Sequence, residues 1–195
     1  MRGAKVIHVD PRYTRTSAVS NLHVPLRSGT DIAFLGGIVN YILENERYFE
    51  EYVKSYTNAS AIINEEFADT EDLDGLFSGW DPETGSYDPM TWQYEGVTVH
   101  GTAGKREQGG LTGEQSHGAH GAELRHGLPP ETDETLQHER CVFQLLKKHY
   151  RRYTPEMVER ITGVDRNLFA QVCEMVCENS GREKTTSFAY AVGWT

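Results

Sequence analysis

The run KVIHV at residues 5–9 is the sequence feature that most constrains the fold. It is short, apolar and rich in β-branched residues, which is typical of a buried strand. The run stops at Asp10-Pro11, where the proline has no backbone N–H to donate to a sheet. The carboxyl end of this strand is therefore expected at Asp10, and residues 22–26, LHVPL, are expected to form a second short strand.

A helical pattern follows the second strand. Ser28-Gly29-Thr30-Asp31 opens this helix, and either Thr30 or Asp31 is expected to be its N-cap. The positions expected to face the core share helical spacing and apolar character: Ile32, Leu35, Ile38, Val39, Ile42 and Leu43.

Later segments continue the alternation of helices and strands. Further helices are predicted over residues 47–56, 138–151, 155–161 behind Thr154 as N-cap, and 165–179 behind Asp165. The acidic stretch between the first two and the later helices is rich in turn formers and is expected to be irregular. Residues 186–194, TSFAYAVGW, are expected to form a third strand.

These elements place the chain in the α/β class, as part of a Rossmann-like α/β/α domain. Three strands are fewer than the roughly 5–6 of an average sheet, so a fragment of a larger domain is expected. Residues 1–95 are expected to form an α/β part with an acidic irregular segment, and residues 135–195 its helical segment and closing strand. Residues 96–134 hold nine of the 19 glycines and four of the eight histidines, which predicts a long flexible insertion.

The net charge of −10 is concentrated in one part of the sequence. Residues 44–95 hold fourteen of the 29 acidic residues, and Arg47 and Lys54 are the only basic ones there. An acidic surface repels phosphate backbones, so nucleic-acid binding is not expected. No stretch approaches the roughly 18 consecutive apolar residues of a membrane span, so direct membrane insertion is not expected either.

The three cysteines, Cys141, Cys173 and Cys177, form neither a CxxC pair nor a disulfide framework. Cys173 and Cys177 share a helix face, but a metal site generally needs four ligands and no partner pair accompanies them. Buried free thiols are therefore expected, and no metal site.

Three polar or glycine-containing segments fall at strand ends or at a helix start: Asp10-Pro11-Arg12-Tyr13-Thr14, Ser28-Gly29-Thr30-Asp31 and Val192-Gly193-Trp194. Ligands of an α/β sheet bind outside the carboxyl ends of its strands, and the amides at a helix start donate to ligand oxygens. A nucleotide site is one interpretation. The other is structural, with Asp10 ending a strand and Asp31 capping a helix. The absence of a GxGxxG motif disfavours an NAD or FAD site.

The run KVIHVDPRYTRTSAVSNLHVPLRSGTDIAFLGGIVNYILENE resembles the segment of molybdopterin oxidoreductases that binds one of two molybdopterin guanine dinucleotides. The order of its parts carries this resemblance: strand, DPRYTRT, short strand, RSGTD, helix. A narrower resemblance, to the large subunit of membrane-complex formate dehydrogenases, rests on EEYVKSYTNAS, EDLDGLFSGWD, TLQHERCVFQLLKKHYRRYTPEMVE and SFAYAVGWT. Together these segments cover most of the chain outside the insertion.

The resemblance implies a cofactor-binding site in three parts. A wall that contacts ribose and diphosphate would consist of Asp10, Pro11, Arg12, Tyr13 and Thr14. The guanine end would consist of Gly29, Thr30 and Asp31, with Asp31 reading the base, and a third part approaching a pterin would consist of Val192, Gly193 and Trp194. No catalytic residue is implied, because the chain lacks the Cys-His pair of the family's molybdenum ligand and the cysteine cluster of its iron–sulfur centre.

By the same resemblance, the chain is expected to be a fragment of a formate dehydrogenase catalytic subunit that is inactive alone. The full subunit would oxidise formate to carbon dioxide with a bis-molybdopterin guanine dinucleotide carrying molybdenum or tungsten, and with an iron–sulfur cluster outside this chain. Expected partners are the remainder of the subunit, an iron–sulfur electron-transfer subunit and a membrane cytochrome subunit, on the periplasmic side of a membrane-bound complex. Two alternatives stay open: a nucleotide-binding or interaction fragment without catalysis, and another molybdopterin oxidoreductase such as a nitrate reductase.

Overall fold

Two short parallel strands begin the fold, in a computed structural model that describes residues 3–96 and 130–190. Strand β1 (Ile7–Val9) pairs with β2 (Leu22–Val24), and His8 lies opposite His23 in the register. The two predicted strands are confirmed, each somewhat shorter than expected. Helix α1 (Arg15–Val19) connects them and was not predicted, because its five residues are too few to show an apolar repeat.

The remaining elements are mostly helical. Helices α2 (Asp31–Glu44) and α3 (Glu50–Tyr56) follow β2, and helices α4 (Val142–Tyr150), α5 (Pro155–Thr162) and α6 (Arg166–Glu178) occupy the later part of the chain. All five correspond to predicted helices, although α4 begins four residues later than expected. The predicted N-caps are confirmed, because the Thr154 hydroxyl accepts from the Met157 amide at 3.2 Å and the Asp165 carboxylate from the Asn167 amide at 2.9 Å.

The chain divides into two compact units: one contains the residues up to Val53 and from Leu146 onward, and the other is Lys54–Leu145. The sequence predicts three regions, 1–95, 96–134 and 135–195, whose boundaries are the two ends of the insertion. Residues 97–129 of that insertion lie outside the described residues. That earlier division stays a prediction.

Helices α2, α5 and α6 pack with β2 around the core of the first unit. The buried side chains of this cluster are Val24, Leu26, Phe34, Ile38, Val158, Val164, Phe169, Val172, Cys173 and Val176. The expected face of α2 is wrong in part, because Ile32 is 78% exposed whereas Ala33 and Phe34 are buried. The other end of the predicted face is confirmed, because Ile38 and Leu43 are buried.

A pair of glycines brings α2 close to its neighbours. A Cβ atom on Gly37 would lie 2.5 Å from Cγ2 of Val158 and 2.8 Å from Cζ of Phe169. A Cβ atom on Gly36 would lie 2.8 Å from the ring of Tyr153. Real side chains do not approach so closely, so these two positions have no room for a larger residue.

Arg27, just after β2, binds the carboxyl end of α5. Its backbone N–H donates to the carbonyl of Thr162 at 2.9 Å. Its guanidinium donates to the carbonyls of Arg160 and Ile161, at 2.8 Å and 3.0 Å. These carbonyls lie in the last turn, which has no intrahelical donors for them, so Arg27 joins the loop after β2 to the end of α5.

In the second unit, residues 59–64 pair with three other segments, around residues 93–95, 131–133 and 140–143. Ile62 donates to the Glu131 carbonyl at 2.9 Å, and Ile63 donates to the Arg140 carbonyl at 2.9 Å. Residues 130–134 were expected within the flexible insertion, and this is wrong: Thr132 pairs with Ala61, and the Asp133 carboxylate accepts from the amides of the turn that follows it. The sequence shows no apolar repeat there because the pairing uses backbone groups.

The irregular segment of the sequence contains a small hairpin that was not predicted. Strand β3 (Trp80–Asp81) pairs antiparallel with β4 (Ser86–Tyr87), and a 3₁₀ turn, Pro89–Trp92, follows. The rings of Trp80 and Tyr87 pack with centroids 4.9 Å apart, and the indole N–H of Trp92 donates to the Ser78 carbonyl at 2.8 Å. Strands of two residues are too short to show an alternating pattern.

The predicted closing strand is not present over its described part. Residues 186–190 have no strand, and the rings of Phe188 and Tyr190 are exposed. A strand needs a neighbour for its backbone groups, and the sheet of the first unit has two strands within the described residues. Residues 191–194 lie outside the described residues.

All three cysteines are free and buried, as predicted. Burial raises the pKa of the Cys141 and Cys177 thiols and raises the pKa of the Cys173 thiol to about 12. Thiols in this state are poor nucleophiles and poor metal ligands. None of the helices within residues 3–96 and 130–190 has the length and apolar character that a membrane crossing requires.

We predict that Gly37→Ala destabilises the chain by about 1–2 kcal/mol, because the added methyl meets Val158 and Phe169 in a filled core. The higher helix propensity of alanine, about 1 kcal/mol, offsets part of this effect. Urea unfolding measures the difference, with exposed Ile32→Ala on the same helix as the control, expected to stay within about 0.5 kcal/mol. An unchanged or raised stability for Gly37→Ala would contradict the close approach.

We also predict that Arg27→Ala lowers the free energy of unfolding by about 1 kcal/mol, since α5 loses the cation that binds its last carbonyls. Arg151→Ala is the matched control, because Arg151 is mostly exposed and lies 3.9 Å from Glu44. Urea unfolding of both variants checks the prediction. Equal losses for the two arginines would show that the contact with α5 adds no stability.

Candidate functional site

Two of the predicted site segments follow the carboxyl ends of the parallel strands β1 and β2. Residues Asp10–Thr14 follow the carboxyl end of β1. Gly29 and Thr30 lie in the loop after β2, and Asp31 is the first residue of α2. Parallel strands end at the same edge, and the Asp10 amide donates to the Val24 carbonyl there at 3.2 Å. This is the edge at which α/β sheets bind ligands.

The first segment is a tight turn that leads into α1. One carboxylate oxygen of Asp10 accepts from the Arg12 amide at 2.7 Å, which closes the turn. The Thr14 amide donates to the Ser17 hydroxyl at 2.8 Å, and Thr14 is the N-cap of α1. Arg12 and Tyr13 point outward and are exposed. Asp10 therefore does have the structural role that the sequence left open, and the turn presents its cationic and aromatic side chains to solvent.

Two histidines beside this turn were missed at the sequence level. The His23 ring lies with its Nε2 atom 3.0 Å from the Asp10 carbonyl, and Tyr13 packs edge-on against it at 5.2 Å. The His8 ring stacks on His23, and its Nδ1 atom lies 2.9 Å from the Ser17 hydroxyl oxygen. A signal was available, since His8 and His23 occupy the same position in two short strands expected to be neighbours.

The second segment begins with a glycine in the left-handed region. Gly29 has φ +79°, and the space where a Cβ atom would lie is open. Thr30 is the N-cap residue of α2, and its hydroxyl donates to the Arg27 carbonyl at 2.7 Å. Of the two N-caps considered, the structure selects Thr30. Asp31 is the first residue of the helix and is partly buried.

Arg27 is a third residue that the site prediction omitted. Its contacts with α5 fix the loop from which Gly29, Thr30 and Asp31 project, and its carbonyl holds the Thr30 hydroxyl. The third predicted segment, Val192-Gly193-Trp194, lies outside the described residues, so its assignment stays a prediction.

A structural contact between α2 and α6 changes the pKa of Tyr41. The Tyr41 hydroxyl donates to the Glu174 carboxylate, which raises the pKa of Tyr41 to about 12 and lowers the pKa of Glu174. Arg47 adds a cation 3.3 Å from the same carboxylate. Because the Glu174 pKa is lowered by folding, this contact contributes stability above the unfolded pKa and loses it as the pH falls.

The chain is similar over its whole length to formate dehydrogenase subunits. It is 44% identical over 193 residues to the formate dehydrogenase-O major subunit of Escherichia coli, covering 99% of this chain and 16% of that protein. It is 43% identical over 194 residues to the formate dehydrogenase subunit alpha of Megalodesulfovibrio gigas, covering 100% of this chain and 16% of that protein. The chain thus spans about one sixth of the length of these relatives.

More distant similarity extends to other enzymes. Dimethylsulfide dehydrogenase subunit alpha of Rhodovulum sulfidophilum is 28% identical over 170 residues, covering 83% of this chain and 17% of that protein. Among solved structures, acetylene hydratase from Pelobacter acetylenicus matches with a TM-score of 0.44 and 18% identity, over 90% of this chain and 13% of that one. No family model matches. By its sequence, the chain is similar to one segment of the formate dehydrogenase major and alpha subunits.

Proposed function

We propose that this chain is part of the catalytic subunit of a formate dehydrogenase and supplies one wall of a molybdopterin guanine dinucleotide site. The observation that carries the proposal is the parallel pairing of β1 with β2, because the Asp10–Thr14 turn follows the carboxyl end of β1 and the Gly29–Asp31 loop follows that of β2. Identity of 42% to 44% with formate dehydrogenase subunits supports the reaction class. The reaction converts formate to carbon dioxide, a proton and two electrons.

The Asp10–Thr14 turn suits a ribose and a diphosphate. Its backbone is closed by the Asp10 carboxylate and the Ser17 hydroxyl, so little ordering is required when a ligand binds. Arg12 presents an exposed guanidinium, a group that binds phosphate oxygens in a bidentate manner. Tyr13 adds an exposed ring and hydroxyl. Pro11 and Thr14 complete this wall.

The Gly29–Asp31 loop suits a guanine base. The open space at Gly29 admits a planar group close to the backbone, and Asp31 follows at the first position of α2. A carboxylate there offers two acceptor oxygens for the adjacent N–H donors on one edge of guanine. Adenine has no equivalent pair of donors on that edge, so the carboxylate would select guanine. Thr30 positions this carboxylate through its bond to Arg27.

The residues of this chain bind and orient the cofactor rather than carry out the redox step. Its three cysteines are buried thiols with raised pKa values, and no histidine directly follows any of them. When bound, the dinucleotide cofactor with molybdenum or tungsten supplies the two-electron chemistry, and the iron–sulfur cluster belongs to residues outside this chain. Val192, Gly193 and Trp194 would approach the pterin end.

The proposal extends to the partners of the complete subunit. We place the remainder of the catalytic subunit against this chain, and assign an iron–sulfur electron-transfer subunit and a membrane cytochrome subunit as electron acceptors on the periplasmic side of a membrane. Support for this arrangement is the resemblance to the large subunit of membrane-complex formate dehydrogenases.

Another molybdopterin oxidoreductase is the second candidate, because the nucleotide site is common to that superfamily. Similarity to dimethylsulfide dehydrogenase subunit alpha shows that the matches are not confined to formate dehydrogenases. Its identity of 28%, against 44% for a formate dehydrogenase, favours formate as the substrate.

We predict that the purified chain alone neither oxidises formate nor retains stoichiometric molybdenum or tungsten, because it contains no Cys-His pair and no cysteine cluster. Formate-dependent dye reduction and metal analysis of the homogeneous chain measure this. The complete subunit from the same preparation scheme is the positive control. Dye reduction by the chain alone would place the chemistry within it.

In the complete subunit, Asp31→Ala is expected to weaken dinucleotide retention by about tenfold or more, since hydrogen bonds to a charged group contribute roughly 1.5–3 kcal/mol. Asp31→Asn should also lose cofactor, because its amide presents one acceptor beside a donor. Guanine and molybdenum content, measured beside the melting temperature, check both variants. Glu44→Gln at the far end of α2 is the control. Full cofactor content in folded Asp31→Asn would contradict the base-reading role.

A further inference from the structure

A stacked pair of histidines lies beside the Asp10–Thr14 turn. His8 and His23 are partners across the parallel sheet, with ring centroids 5.9 Å apart and ring planes 27° apart. Both are partly buried, although each lies in a strand of three residues that begins and ends with apolar ones. Packing alone does not explain two imidazoles in these positions, because a β-branched residue fits a short strand better.

His23 binds the start and the middle of the turn. Its Nε2 atom lies 3.0 Å from the Asp10 carbonyl, and a carbonyl only accepts, so Nε2 carries the proton and donates. The ring of Tyr13 meets the His23 ring edge-on, with centroids 5.2 Å apart. One imidazole thereby fixes both the backbone at Asp10 and the direction of an exposed ring.

His8 binds the end of the turn through Ser17. The Ser17 hydroxyl oxygen accepts from the Thr14 amide at 2.8 Å and lies 2.9 Å from Nδ1 of His8. The hydroxyl can therefore donate its own proton to Nδ1, which leaves the proton of His8 on Nε2. That atom faces the second carboxylate oxygen of Asp10 at 3.9 Å. These contacts connect Asp10 to Thr14 through His23, His8 and Ser17, and so link the start of the turn to its end.

We infer that His8 and His23 are positioning residues that hold the Asp10–Thr14 turn in the conformation that binds the ribose and diphosphate of the cofactor. This inference rests on the proposed function for the identity of the ligand. The histidines themselves do not touch the ligand in this account. They set the direction of the Asp10 carbonyl, the Tyr13 ring and the Thr14 amide.

Paired substitutions separate the effect of losing the hydrogen bond from the effect of changing the shape of the side chain. His23→Phe keeps a flat ring beside Tyr13 but removes the donor to the Asp10 carbonyl. His23→Gln keeps an N–H group near the position of Nε2 and is the matched control. At the other histidine, His8→Leu removes the acceptor for Ser17, and His8→Asn retains a polar atom near the position of Nδ1.

Two measurements on the 195-residue chain test the inference. Amide hydrogen exchange at Arg12 and Thr14 reports the order of the turn, because the Arg12 amide donates to the Asp10 carboxylate and the Thr14 amide to the Ser17 hydroxyl. Exchange is expected to be at least threefold faster in His23→Phe and near wild type in His23→Gln, with equal melting temperatures. Titration with guanosine diphosphate reports binding, and the dissociation constant is expected to rise about threefold to tenfold in His23→Phe, as for loss of one hydrogen bond.

The outcomes distinguish the inference from the proposed function. Wild-type exchange rates and wild-type affinity in His23→Phe and His8→Leu would overturn the positioning role while the proposed function stands. Equal damage in His23→Gln and His23→Phe would also overturn it, since the hydrogen bond would then not be responsible. Altered exchange in His23→Phe, combined with no guanine nucleotide in the purified complete subunit, would count against the proposed function and support the positioning of the turn.

Discussion

The parallel pairing of β1 with β2 is the interaction on which the candidate site depends. An antiparallel pair would send the two following loops to opposite edges, whereas a parallel pair brings both to one edge. The Asp10 amide continues this pairing past the end of β1 through its bond to Val24. With three residues in each strand, the sheet is too small to be stable alone. Its stability comes from the helices packed against it.

The helical layer therefore determines where the proposed guanine end of the site lies. Gly37 allows α2 to approach α5 and α6 closely, and Gly36 leaves room for the ring of Tyr153. The first turn of α2 carries Asp31. Arg27 joins the loop before α2 to the last carbonyls of α5. A larger side chain at Gly37 would meet Val158 and Phe169, on the same helix that begins with Asp31. The packing of the core around α2 therefore also determines the position of Asp31.

The sequence predicted the parts of the fold that local chemistry determines. Both strands and the N-caps Thr154 and Asp165 are confirmed, because an apolar run and a capping side chain act within a few residues. The predicted core face of α2 was wrong at Ile32. Which face of this helix is buried depends on the residues that pack against its glycines, and those residues are distant in the sequence. The contacts of His8 and His23 were missed for the same reason: they form only when two strands pair. The choice of cofactor came from resemblance, since physical arguments left a structural interpretation open.

The central claim is that the Asp10–Thr14 turn and the Gly29–Asp31 loop together hold one guanine dinucleotide. The most direct measurement is an experimental structure of the complete subunit containing this segment, with its cofactor bound. The account predicts a guanine whose N–H donors lie within hydrogen-bond distance of the Asp31 carboxylate, with the ribose and diphosphate against residues 10–14. A dinucleotide bound elsewhere, with protein side chains filling the space beside Gly29 and Asp31, would contradict it.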